Sequence, residues 1–198
     1  PNGSGKTTLL KILCGMIKPQ KGTIHTDNFD FFEYYEKIKR FISYVPQDDV
    51  LFENLTVYEN LYFNAKLRYP KLNEKSISER VLSVIKEIGL LPKMNFKVGT
   101  ESERILSGGE RKRLNIGLEL LSDSNIYFFD EPTSGLSSKD SEKVVDILKK
   151  LAVKGKMIFS VIHQPGYKIF NKFNKALVLD HGGKLAYYGS TYSALQYF

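Results

Sequence analysis

Pro1-Asn2-Gly3-Ser4-Gly5-Lys6-Thr7-Thr8 opens the chain, and its reading decides the fold class. Gly3-Ser4-Gly5-Lys6-Thr7 matches the second half of a phosphate-binding loop: glycine, four residues, glycine, lysine, then serine or threonine. Glycines let backbone N–H groups curl around a phosphate, and the helix beginning near Lys6 adds its positive end. Lys6 can then reach the β and γ phosphates of a nucleotide such as ATP, and Thr7 can ligate Mg2+. Asn2, Gly3, Ser4, Gly5, Lys6, Thr7 and Thr8 are the candidate nucleotide-binding residues. A turn that only capped a helix would have no need of lysine followed by threonine. The first glycine of the pattern would precede Pro1, so the chain is expected to be part of something longer.

Working outward, Leu9, Ile12, Leu13 and Met16 recur at helical spacing until Gly15 and Pro19 stop the helix. Short β-like runs at Gly22–Thr26 and Phe41–Val45 follow, then a mainly helical stretch from about Leu55 to Gly89 with Ile77, Val81, Ile85 and Ile88 on one face. From Ser107 the elements alternate: helix Gly109–Leu121, strand Ile126–Phe129, helix Lys139–Leu151, strand Met157–Ile162. Such alternation predicts an α/β fold with a mainly parallel sheet. Ala176–Leu179 and Lys184–Tyr188, flanking Asp180-His181-Gly182-Gly183, predict a closing hairpin before a final short helix. Cys14, set among apolar residues, is expected in the core.

A phosphate loop needs a carboxylate on the metal side. Four apolar residues ending in Asp130-Glu131 supply one at the carboxyl end of a buried strand, which resembles the Walker B element. Asp130 would hold Mg2+, and Glu131 would act as general base on the attacking water.

Leu106-Ser107-Gly108-Gly109-Glu110-Arg111-Lys112-Arg113 lies between these two motifs and is similar to the signature motif of ATP-binding cassette (ABC) ATPases. Ser107 with Glu110 also reads as a capping box, and both readings hold together. Arg111, Lys112 and Arg113 are read as a solvated or structural face. The resemblance implies a P-loop NTPase (RecA-like) core over residues 1–47 and 121–198, with a helical signature subdomain inserted at about 48–120. It further implies that Ser107, Gly108 and Gly109 bind the γ-phosphate of ATP held by a second ABC domain, in a head-to-tail dimer. The family's adenine-stacking aromatic would lie upstream of Pro1.

Other segments resemble the family in its order. Tyr44-Val45-Pro46-Gln47-Asp48-Asp49 resembles the Q-loop, where Gln47 would contact Mg2+ or the attacking water. Val161-Ile162-His163-Gln164-Pro165 resembles the switch segment, where His163 would hydrogen-bond the γ-phosphate. His25 and His181 match no motif position and are read as surface residues. The segment Glu131-Pro132-Thr133-Ser134-Gly135-Leu136-Ser137 departs from the pattern, because the family's D-loop usually has Asp where Ser137 stands. Its finer features resemble the G subfamily of half-transporters. That resemblance implies ATP-driven transport, most often export, at the cytoplasmic face of a membrane, with a permease domain in the same or a separate chain.

Composition bounds these readings. In 198 residues there is one cysteine, which excludes an internal disulfide and a cysteine-based zinc cage. No window approaches the roughly 18 apolar residues of a membrane-spanning helix, so the chain itself is not expected to cross a bilayer. It opens on no signal or transit pattern. The net charge of +7 would suit nucleic acid, anionic lipid or phosphate alike. An alternative is therefore a soluble ABC ATPase acting on nucleic acid or the ribosome. The lack of sustained heptads between Lys6 and Ser107 counts against its coiled-coil branch, and no nucleic-acid partner is expected. A nucleotide-dependent regulator without useful hydrolysis is a third reading, opposed by intact Lys6, Asp130, Glu131 and His163.

Overall fold

The computed structural model describes residues 3–26, 28–100 and 105–197. Its centre is a parallel sheet in the order β3-β4-β5. Two elements precede this sheet: α1 (Lys6–Leu13) and a small hairpin of β1 (His25–Thr26) and β2 (Phe29–Asp30). A short α2 (Tyr35–Ile38) leads into β3 (Ile42–Val45). Helices α3 (Val57–Arg68), α4 (Glu74–Glu87) and α5 (Gly108–Leu120) fill the long crossover to β4 (Ile126–Asp130), and α6 (Ser138–Val153) makes the next one, to β5 (Met157–Val161). After α7 (Tyr167–Phe170), β6 (Lys175–Leu179) pairs antiparallel with β7 (Leu185–Ser190), and α8 (Thr191–Tyr197) follows.

Strand alternation sorts the core into two layers. Tyr127 and Phe129 point to one face of β4, where they join Leu114, Ile116, Val144 and Leu148 of α5 and α6. Phe128 points to the other face, against Leu10 and Cys14 of α1. Both faces of β4 are therefore covered, and its carboxyl end, buried up to Asp130, is held in a fixed place between helices. Cys14 is in the core, as expected.

The helices begin where local chemistry starts them. Thr56 Oγ1 accepts from the Glu59 N–H at 3.1 Å while Glu59 Oε2 accepts from the Thr56 N–H at 2.8 Å, a reciprocal cap for α3. Ser107 and Glu110 do the same for α5. Asn73 caps α4, and Ser137 caps α6.

The first β-like run is shorter than its composition suggested. Of Gly22–Thr26 only His25 and Thr26 form a strand, because Gly22 takes a left-handed turn with φ 91° and the pairing partner, Phe29–Asp30, is two residues long. Phe41 belongs to a 3-10 turn, so its strand starts at Ile42. No helix among the described residues is long and apolar enough to cross a membrane.

Candidate nucleotide site

The opening loop turns on two glycines. Gly3 and Gly5 adopt φ of 73° and 83°, angles that side-chain-bearing residues rarely take, and Gly5 turns the chain directly into α1. Gly3, Gly5 and Thr8 are exposed, whereas Ser4 is buried and accepts a hydrogen bond from Lys6 Nζ at 3.1 Å. Asn2 lies outside the described residues.

Directly behind this loop stands the end of β4. Asp130 is 3% exposed, and both of its carboxylate oxygens are hydrogen-bonded. Thr7 Oγ1 donates to Oδ1 at 2.9 Å, and Tyr44 Oη donates to Oδ2 at 2.9 Å. Burial pushes the Tyr44 phenol far above its ordinary range, and its bond to the Asp130 carboxylate pushes it further. Tyr44 therefore stays protonated and remains a donor.

Glu131 follows at the first position beyond the strand. Its backbone is left-handed, with φ 46°, and its N–H bonds to the Val161 carbonyl at 3.1 Å. Gln47 Nε2 donates to Glu131 Oε2 at 3.3 Å. The register of β4 with β5 places Asp130 beside Val161, so His163, exposed and two residues further on, leaves the sheet at the same end as Glu131.

The Q-loop segment is tied to α5. Lys112 Nζ donates to the Gln47 backbone carbonyl and lies 3.2 Å from Asp49 Oδ1. Arg111 pairs with Asp49 and Glu53 at 3.6 Å, and Arg113 donates to the Ile88 carbonyl at 2.7 Å. These three cations form a structural face, with Lys112 and Arg113 buried and Arg111 half-buried.

Lys6, Thr7, Gln47, Asp130 and Glu131 are thus gathered at one end of the sheet. Ser107, Gly108 and Gly109 are not linked to them by side-chain hydrogen bonds. Ser107 is engaged in its own helix cap, Gly108 faces Leu136, and Gly109 packs so closely on Asp140 that an added Cβ would lie 2.7 Å from its Cβ and Cγ. Ser137, at the departing D-loop position, donates to Asp140 Oδ2 at 3.0 Å. His25 and His181 are exposed.

Two participants escaped the motif reading. Tyr44 lies on the α1 face of β3, where a phenol entering a buried layer requires a polar partner, and that parity was the available signal. Lys112 was set aside with its neighbours because a lone charge on a helix usually faces water.

A glycine loop entering a helix, with a threonine bonded to an aspartate at the end of a parallel strand, defines a P-loop nucleotide-binding domain. Residues 1–134 match the family described as ABC transporter, and the chain belongs to that family as its ATP-binding domain. Over its whole length it is 41% identical to ABC transporter G family member 22 of Arabidopsis thaliana, covering 26% of that protein. It is 42% identical to the broad substrate specificity ATP-binding cassette transporter ABCG2 of Rattus norvegicus, covering 30% of it. The chain therefore spans less than a third of these relatives. Among solved structures it resembles the dimeric post-hydrolysis state of the ATP-binding cassette MJ0796 bound to ADP and Pi, with 28% identity and a TM-score of 0.77. That match covers 96% of this chain and 82% of the other.

Proposed function

We propose that this domain binds and hydrolyses ATP at the end of its parallel sheet and that its cycle drives export of a substrate across a membrane. The hydrogen bond of Thr7 to Asp130, which joins the loop to the acidic end of β4, is the observation that carries this reading. The loop's backbone N–H groups and Lys6 would hold the phosphates of ATP. Glu131, placed by its backbone turn beyond the buried strand, would take the proton of the attacking water, and Gln47 would orient that carboxylate. His163 would contact the γ-phosphate from the neighbouring strand end.

Thr7 and Asp130 also fit Mg2+. One hydroxyl and one carboxylate form a hard all-oxygen donor pair, the kind this cation takes beside phosphates and water. When bound, Mg2+ would supply charge neutralisation at the phosphate oxygens.

Ser107, which caps its own helix, with Gly108 beside Leu136 and Gly109 against Asp140, would serve the ATP of a second ABC domain packed head to tail. The dimeric solved relative supports that partner, and the G-family transporters support a permease domain and a place at the cytoplasmic face of a membrane. Residues of about 48–120, including α3 to α5, would form the unit that relays closure to the permease.

The test is Glu131→Gln in the full-length protein. ATP binding should persist while turnover falls by about 10²- to 10⁴-fold, the usual share of a general base. Turnover at the native rate would remove Glu131 from that role.

A further inference from the structure

We infer that Tyr44 is a positioning residue that fixes the orientation of the Asp130 carboxylate for the cation. The inference rests on the reading of Asp130 as the metal-side carboxylate. Asp130 has two oxygens with different neighbours. Oδ1 is met by Thr7, whose hydroxyl donates its proton there and would keep its lone pairs for the cation. Oδ2 is met by Tyr44, whose hydroxyl is committed as a donor. The Tyr44 contact uses no candidate ligand oxygen besides those of Asp130 itself, so it can hold the carboxylate with or without the cation.

The phenol is itself held in place. Tyr44 stands in register beside Phe128 on β4, and its ring packs with Ile42 and Leu13 against the Leu10, Cys14 and Phe128 layer. A hydroxyl donating to a buried carboxylate makes a charge-assisted bond, stronger than a neutral one. Pinning Oδ2 stops the carboxylate from rotating about its last torsion and leaves Oδ1 facing Thr7. Partners of this kind, one step behind a ligand, typically govern metal affinity by 10- to 100-fold.

The experiment uses the full-length protein, with a fluorescent ATP analogue titrated once with Mg2+ and once with EDTA. Tyr44→Phe removes a single oxygen. It should lower the Mg2+-dependent gain in nucleotide affinity about 10-fold while leaving affinity in EDTA unchanged. A gain equal to that of the native protein overturns the inference. So does an equal fall under both conditions, which would make Tyr44 merely structural. Tyr44→Met gives the same reading should the phenylalanine variant fail to fold. Asp130→Asn is the control: if it keeps the native gain, the reading of Asp130 as the metal-side carboxylate fails, and if it alone loses the gain, only the role of Tyr44 fails.

Discussion

Gln47 and Glu131, 84 positions apart in the chain, meet through a hydrogen bond of 3.3 Å from Nε2 to Oε2. The two ends of Gln47 are held by different parts of the fold. Its backbone carbonyl is gripped by Lys112 of α5, while its amide donates to the residue just beyond β4. A displacement of α5 therefore reaches Glu131 through one residue.

Lys112→Met tests that connection. The lysine is 6% exposed, and its removal leaves the Gln47 carbonyl and part of the Asp49 carboxylate without their donor, at a cost of about 1–3 kcal/mol. Thermal unfolding should show this loss. Turnover should fall further than ATP affinity, because the disturbed residue touches Glu131, the proposed general base, and not the phosphate loop. Equal losses in both would make Lys112 a stability residue alone.

Gly109 is required by space. An alanine there would bring its Cβ to 2.7 Å from both Cβ and Cγ of Asp140, so Gly109→Ala should destabilise the domain by about 1–3 kcal/mol. Adding Asp140→Ala should give little relief, since its Cβ remains. Adding Asp140→Gly should relieve the clash while incurring its own helix penalty of about 1 kcal/mol. Denaturant unfolding of the four proteins would separate these terms.

Glu110 sets an acid limit on the signature helix. Burial pushes its carboxyl up, but the Lys93 ammonium at 2.7 Å and the Ser107 N–H hold it, on balance, below its ordinary 4.5. A lowered folded pKa means that its contribution to stability is fully present above about pH 4.5 and is lost as pH falls through the folded value. Unfolding midpoints measured from pH 6 downward should therefore drop less steeply for Glu110→Gln than for the native chain. Parallel curves would show that the cap does not titrate with folding.

What could be read in advance depended on how local the physics was. Gly3 to Thr7 and Asp130-Glu131 were legible because a phosphate loop and a buried strand with an acidic end each write their requirements into adjacent residues. Ser107 with Glu110 was legible for the same reason, as a cap spans one turn. Tyr44 and Lys112 were not, because their partners lie 86 and 65 positions away and exist only once β3, β4 and α5 are packed. The β-like run at Gly22–Thr26 is cut to His25–Thr26 in the fold because its extent depends on how few residues Phe29–Asp30 offer for pairing. Ser137 read as a lost charge, and in the fold its hydroxyl starts α6 and meets Asp140 instead.

With Glu131 in its proposed role as general base, the left-handed turn there sets folding against turnover. A side-chain-bearing residue with φ 46° costs about 1 kcal/mol relative to glycine, so the position would be more comfortable with glycine, which has no side chain to accept a proton. Selection for heat tolerance alone would push this site toward a sturdier but idle protein. The glutamate there marks a point where stability is given up for work.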